Sequence, residues 1–420
     1  MKVLFLSQIV PYPPHGGVLQ RGYNLLRELA SRASVHLLAF VHPDVLPTAT
    51  MVEESRRALG TFCETVEYFP LWAKASPVHR VAALAASACS SKPFGVIAHR
   101  SAALQRSLDE ALGTGVFDLV HVDTIALSPF VGPGRKLPAV LTHHNIESSL
   151  MEGRSRVDGR LLAQQFLQRE GAKLAVFESV ASRWFDVNIV MSAIDERMLV
   201  GRVPGLRTAV VPNGVDVEYF TPDWERETPA LVYAGGMNMF ANRDAVMYFV
   251  REIWPRINAR AGGVRVFLVG QDPPKELLKV AAQDPRLIVT GYVTDIRRVV
   301  CSSAVYVVPL RVGGGTRLKV LDAMAMGKAV VSTSIGCEGI EVRSGEHLVV
   351  ADTPEGFAEA TVELLRNPSR RLMIGRAARE LVERRYAWPI VADQLVETYR
   401  SAIANKKTRP KGACADRLEA

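Results

Sequence analysis

The sequence predicts an α/β protein made of two doubly wound, parallel-sheet units in series. Three observations predict it. Short, wholly apolar runs recur along the chain, amphipathic helical stretches alternate with them, and the pattern restarts near residue 231 with a new strand and a glycine pair. At 420 residues the chain exceeds one ordinary core, so roughly two to three domains are expected.

Residues 3–7 form an unbroken apolar run, as a strand covered on both faces of a parallel sheet requires. Residues 11–17 contain Pro11, Pro13, Pro14, Gly16 and Gly17, which a ladder does not accept, so they form a loop. Over residues 18–31, Leu19, Tyr23, Leu26, Leu29 and Ala30 share one helical stripe. Residues 35–41, 119–122 and 139–142 read as further buried strands. In the second half, strands are expected at 231–234, 266–269, 287–290, 305–309 and 329–333, with a helix over 244–257. Pro204, Gly205, Pro212 and Gly214 interrupt regular structure between the two series. The expected domains are residues 1–205 and 206–386, then a closing helix within 387–404 (its core 388–403) and a tail over 405–420 without fixed structure.

Hydrophobic residues make up 48% and charged residues 22%, a globular balance that excludes a disordered chain. Cys63, Cys89, Cys301, Cys337 and Cys414 are scattered and lack metal-ligand spacing, which fits a reducing compartment. The apolar run after Met1 and Lys2 is too short for a secretory signal, and no apolar run reaches the roughly 18 residues of a membrane span. A cytoplasmic location is expected. The net charge of +8 admits nucleic acid, an anionic membrane surface or phosphorylated small molecules. No basic run is interleaved with aromatics, which argues against nucleic acid. Residues 76–96 carry Val78, Val81, Ala82, Leu84, Ala85 and Ala88 at helical spacing beside His79, Arg80 and Lys92. Either an interfacial helix on an anionic membrane or an ordinary buried helix satisfies that pattern.

In doubly wound sheets, ligands bind beyond the carboxyl ends of the strands. The loop after residue 309 has the richest chemistry there. Gly313, Gly314 and Gly315 let backbone amides close on an anion, and a helix starting near Thr316 adds its positive end. Arg311, Arg317 and Lys319 add full charges, so the segment suits a diphosphate. Asp322, one to two turns into the helix, could accept hydrogen bonds from a ribose, or pair with Lys319 at i, i+3.

The segment Pro212-Asn213-Gly214-Val215-Asp216 resembles the linker motif of family 4 of the retaining glycosyltransferases. The glycine-rich segment, continuing through Leu321-Asp322-Ala323-Met324-Ala325 and Gly327 to Val331, resembles that family's donor site. The loop over 11–17, residues 231–245 and residues 291–295 follow the same pattern, so the likeness spans nearly the whole chain. The resemblance implies a GT-B fold. Its N-terminal Rossmann-like domain binds the acceptor, its C-terminal one binds the nucleotide sugar, the two face a cleft, and the last helix crosses back. It also implies donor contacts from Gly16, Gly17, Asn213, Gly235, Gly236, Gly314, Gly315, Thr316 and Asp322. His144 matches the histidine that the family keeps near the reacting sugar; Asp123 and Glu147 lie in similar strand-end loops.

Two departures stand out. The family's donor site has two glutamates separated by seven residues, whereas here Asp322 holds the second position and Gly314 the first. The Arg and Lys that many members carry after the first donor-domain strand are replaced by Gly235-Gly236-Met237-Asn238, so Arg317 and Lys319 are expected to take the diphosphate. We read these as the marks of an active branch with Thr-Arg-Leu-Lys after the glycines. The implied chemistry is transfer with retention of anomeric configuration. Charge developing on the leaving diphosphate is stabilised by Arg317, Lys319 and the helix start, with no metal and no cofactor. A lipid-linked or polysaccharide acceptor and a peripheral membrane position follow as expectations. The competing functions are a nucleotide-sugar-binding scaffold without catalysis and a GT-B epimerase. A dinucleotide enzyme is disfavoured, because Gly235-Gly236 lacks the G-x-G-x-x-G spacing.

Overall fold

Seven strands, all parallel, build the first sheet: β1 (Lys2–Ser7), β2 (Ser34–Val41), β3 (Thr65–Pro70), β4 (Leu119–Val122), β5 (Ala139–His143), β6 (Val187–Val190) and β7 (Thr208–Val210), in the order β3-β2-β1-β4-β5-β6-β7. Six more build the second: β8 (Thr228–Ala234), β9 (Arg265–Val269), β10 (Leu287–Gly291), β11 (Ser303–Val308), β12 (Ala329–Ser332) and β13 (Val349–Val350), in the order β10-β9-β8-β11-β12-β13. The computed structural model describes residues 1–14, 16–157, 160–224, 227–313 and 317–408. Both sheets are doubly wound, with the order reversing beside β1 in one and beside β8 in the other. Each sheet therefore builds a Rossmann-like unit.

The first unit comprises Met1–Val211 and the chain from Val391; the second comprises Pro212–Ile390. Its last strand, β7, carries the first unit past residue 205, where the prolines and glycines of the sequence suggest a join. In each unit the central strands are buried end to end, which is why their sequences read as continuous apolar runs. The strands that the apolar pattern does not reveal are short or peripheral. β3 lies at a sheet edge and alternates exposed with covered residues, β6 carries Asn188, and β7 and β13 have three and two residues.

Three helices differ from expectation. Residues 76–96 form not one helix but two, Pro77–Ala88 and Phe94–Ala98, because Pro93 cannot continue a helix and caps the second instead. In the first of these, Ala83 and Ser87 face inward, while Val78, Val81 and Leu84 are exposed. An ordinary buried helix is thereby ruled out: its larger apolar residues point to solvent. The helix expected over 244–257 begins at Phe240 and widens into a π turn over Phe249–Ile253 before resuming as Trp254–Arg260. Pro255 supplies the reason, since it lacks the N–H that would bond four residues back. The closing helix runs over Trp388–Thr408; residues 409–420, part of the predicted tail, lie outside the described residues. From Val391 on it belongs to the first unit, where Arg32 pairs with Asp393 at 2.6 Å and Lys406 with Asp186 at 3.1 Å. Among the described residues, no helix is long and apolar enough to cross a membrane.

Candidate active site

In the first unit the chemically able side chains collect beyond the carboxyl ends of β1, β4 and β5. Asp123 follows β4 and is almost wholly buried. Its Oδ1 lies 3.2 Å from Nε2 of His144, just past β5, and 3.9 Å from Nε2 of His121 on β4. Burial opposes ionisation of Asp123, but His144 and His121 more than offset it, and its pKa falls below the ordinary carboxylate range. His121 stacks on Phe5 at 4.2 Å and is held at both ring nitrogens: Nε2 bonds Thr142 Oγ1 at 3.0 Å and Nδ1 bonds Tyr399 Oη at 2.6 Å. Burial lowers its pKa, so it stands as a neutral ring with one donor and one acceptor. Arg21, from the Gly17–Ala30 helix, is buried as well. Its guanidinium donates to the Val211 carbonyl at 3.2 Å and is brought down to about 10 by burial, against the pull of Asp123 and Tyr399.

The neighbouring His143 points elsewhere. Its Nε2 bonds Asn188 Oδ1 at 3.0 Å inside the sheet, and burial pushes its pKa down to about 4. Of the two adjacent histidines, only His144 reaches Asp123. Glu147, three residues on, is largely buried with no hydrogen bond or ion pair to its carboxyl among the described residues. Burial, helped by Glu178, raises it to about 7. Gly16 adopts φ 89°, which its lack of a Cβ permits, and caps the Gly17–Ala30 helix without a side chain. The first amides of that helix therefore meet no side-chain acceptor at the cap and can serve an anion.

In the second unit the strand ends converge on one lysine. Lys319, in the helix Leu318–Ala325, places its Nζ 2.6 Å from Asn242 Oδ1 and 3.4 Å from Tyr233 Oη, with the ammonium 4.8 Å from the Tyr233 ring centre. Asn242 is itself fixed: its amide donates to the Gly236 carbonyl at 2.9 Å, and Tyr233 Oη bonds its Oδ1 at 3.0 Å. The glycines have a reason in this geometry. A Cβ on Gly235 would run into Lys319 Nζ and the Asn242 amide, and one on Gly270 would run into the Gly235 carbonyl. Burial, then the adjacent Arg317, brings the lysine down to about 7. Arg317 caps the same helix and lays its guanidinium against Gly313, where a Cβ would meet it. Asp322 shares the helix, one turn on, and adds to the burial that raises the Tyr306 hydroxyl. Lys319 bonds Asn242 in preference to this i, i+3 carboxylate.

Arg311 is not free for a phosphate as its sequence position suggests. It forms a two-point pair with Asp244, with Nε–Oδ2 at 3.0 Å and Nη2–Oδ1 at 2.5 Å, and stacks 4.5 Å from the Tyr248 ring centre. Asn213 and Gly214 follow β7, and a Cβ on Gly214 would strike the Trp388 indole, so this motif packs the end of the second unit tightly. Gly314, Gly315 and Thr316 lie outside the described residues. Sequence patterns pass over Tyr233, Asn242, Gly270, Arg21, His121 and Tyr399. Only Asn242 leaves a trace in the sequence, as a polar residue in the first turn after a glycine pair. Among the described residues, no group of three or more His, Cys, Asp or Glu side chains is placed to hold a metal ion.

Comparison with known proteins gives this geometry a family. The model of "Glycosyltransferase Family 4" matches residues 15–219 and that of "Glycosyl transferases group 1" matches residues 228–367. The phosphatidyl-myo-inositol mannosyltransferase of Mycolicibacterium smegmatis is 24% identical over 330 residues, covering 74% of this chain and 78% of that protein. The GDP-mannose-dependent alpha-(1-6)-phosphatidylinositol monomannoside mannosyltransferase of Mycobacterium tuberculosis is 25% identical over 333 residues, covering 70% and 85%. Among solved structures, sucrose-phosphate synthase from Thermosynechococcus elongatus superposes with a TM-score of 0.69 at 18% identity, covering 96% of this chain and 100% of that one. Anabaena HepE in complex with UDP gives 0.65 at 16%, with the same coverage. At such identities the two structures establish the fold alone. The paired matches, spanning both units, carry the rest: this chain belongs to glycosyltransferase family 4 and is a glycosyltransferase that uses a nucleotide sugar.

Proposed function

We propose that this enzyme transfers a sugar, with retention and without a metal, from a nucleoside-diphosphate donor to a lipid-linked or polysaccharide acceptor. The observation that carries the proposal is Lys319, whose ammonium is locked by Asn242 and Tyr233 beside Gly235. An amine held in place before substrate arrives, and protonated when the diphosphate binds, needs no repositioning as charge builds on the leaving group, which is where electrostatic catalysis is most effective. Arg317 contributes a second cation with the two-point geometry that phosphate oxygens favour. Asp322, on the same helix, is assigned to the ribose. With the leaving group stabilised in this way, bond breaking runs ahead of bond making, and an α-linked donor gives an α-linked product.

The paired Asp123 and His144 are assigned to the reacting sugar and acceptor hydroxyl, and Gly16 and Gly17 to a phosphate oxygen. The lipid-linked acceptor is supported by the printed activities of the mannosyltransferase relatives, which act on phosphatidylinositol compounds. Val78, Val81, Leu84, Leu161 and Leu162 support it as well, as exposed apolar residues near Arg80 and Arg160 in sequence. Such a surface suits an anionic bilayer.

The deciding experiment is thermal stabilisation by UDP, GDP, ADP and CMP, each with and without chelator. A nucleotide at a hundred times its Kd stabilises the fold by about 2.7 kcal/mol. One diphosphate clearly ahead, with the chelator making no difference, is expected. A shift that vanishes with chelator rejects the metal-free mechanism, and no shift with any nucleotide rejects the donor site. Release of nucleoside diphosphate then separates a transferase from a scaffold or an epimerase, and the anomeric proton signal of the product reports retention.

A further inference from the structure

The first unit contains a cavity of about 240 Å³ that the transfer chemistry leaves unexplained. Most of its wall is apolar, formed by Phe94, Ile125, Ala126, Met151, Phe166 and Leu174. Its polar components are mostly committed. Glu170 accepts from Ser87 Oγ at 3.0 Å, from the Phe94 amide at 2.8 Å and from Lys173 Nζ at 2.8 Å, and His99 Nδ1 bonds the Gly95 carbonyl at 2.8 Å. Glu147, Gln8 and Thr124 complete the polar part of the wall. A mostly apolar chamber with a few polar groups in its wall suits a ligand that is itself mostly apolar.

Two further observations fix what that ligand is. Glu147 is three residues beyond His144, and Thr124, also in the wall, follows Asp123, so one end of the cavity adjoins the reacting pair. At Phe166, which is 44% exposed, the wall reaches the surface, one turn along its helix from the exposed Leu161 and Leu162. The path therefore runs from polar chemistry through an apolar chamber to an apolar surface. We propose that this cavity seats the first segment of the acceptor's hydrocarbon chain, with the Glu147 carboxyl bonding the polar group that joins chain to head. A volume of this size holds roughly eight water-sized groups, so only the head-proximal part of a chain is enclosed.

The inference rests on the lipid-linked acceptor proposed above, and its test separates the two. The probes are n-alkyl β-D-glucosides from butyl to octyl, below micelle-forming concentrations, titrated calorimetrically into the full chain. Affinity is expected to rise about fourfold with each methylene, as burial of that group predicts. Ala126→Phe, which fills the chamber, is expected to flatten the series and bring octyl glucoside down to the level of the butyl compound. Should that variant not fold, Phe166→Ser at the mouth is expected to reduce the slope. Equal affinity along the series, or an unchanged slope in the folded variant, overturns the proposal, since the exposed patch alone would then account for binding. UDP and GDP stabilisation is measured on the same samples. A nucleotide shift with a flat alkyl series rejects the cavity and spares the transferase, whereas a steep series without a nucleotide shift does the reverse.

Discussion

Tyr399 and His121 lie 278 residues apart in sequence and share a buried hydrogen bond of 2.6 Å. Through it the closing helix holds the His121 ring, whose Nε2 lies 3.9 Å from Asp123, which in turn lies 3.2 Å from His144. Tyr399→Phe keeps the ring and removes only the hydroxyl, leaving a buried His121 nitrogen without its partner. The expected loss of stability is about 1–3 kcal/mol, read from the denaturant midpoint. An unchanged midpoint would show that the imidazole finds a substitute.

Asp123→Asn removes the charge that faces the buried Arg21. The loss expected at neutral pH is on the order of 3–5 kcal/mol, the cost of leaving a buried charge without its partner. The sign with pH follows from the depressed pKa of Asp123. A carboxylate whose folded pKa is lowered contributes fully above its unfolded value and loses that contribution as pH falls. The gap between wild type and variant should therefore narrow on acidification below about pH 4. A gap that is constant from pH 7 to pH 3 contradicts this electrostatic account.

Lys319, at about 7 in the free protein, titrates where most assays are run. A bound diphosphate favours the ammonium, so binding takes up a proton whenever the free amine is neutral. Nucleotide affinity should hold steady below pH 7 and weaken by roughly tenfold per unit above it. Calorimetry in buffers of different ionisation enthalpy would record the proton uptake. Lys319→Met should lose both the affinity and its pH dependence. It should also be more stable than wild type near pH 7, because a folded-state lysine pKa below its unfolded value costs stability there.

Arg317→Ala should lower turnover by on the order of a hundredfold, as loss of one preorganised charge-stabilising donor does elsewhere. The readout is nucleoside diphosphate released per minute at saturating donor. Turnover near wild type would move the diphosphate contact away from this residue.

Gly235→Ala tests the lysine cradle from the opposite side. The added methyl occupies the position of the Lys319 ammonium and the Asn242 amide, so the ammonium must leave its place. Donor KM is expected to rise with little change in unfolding midpoint. A normal KM would show that the ammonium is not fixed at this glycine during binding.

The fold was legible because strands buried on both faces of a parallel sheet cannot hide their composition. β1, β4, β8 and β11 read as apolar runs in any context. β3 and β7 did not, because an edge strand keeps one side wet and a three-residue strand carries no period. At the candidate site, glycines and cations after buried strands marked Gly235, Arg317 and Lys319, since an anion pocket requires those residue types near strand ends.

Partnership was another matter. Arg311, Arg317 and Lys319 look equivalent along the chain, yet Asp244 captures the first and Asn242 holds the last. His143 and His144 differ by one position, and the alternation of the strand sends one into the sheet and the other toward Asp123. The sequence by itself determined two α/β units, their glycine turns and the family to which they belong, because composition and local spacing express the demands of burial and backbone freedom. Only the tertiary structure decided which partner each of these charges takes, and that Tyr399 stands behind His121 next to Asp123 and His144. Those are contacts between residues far apart in the chain, and no local pattern records them.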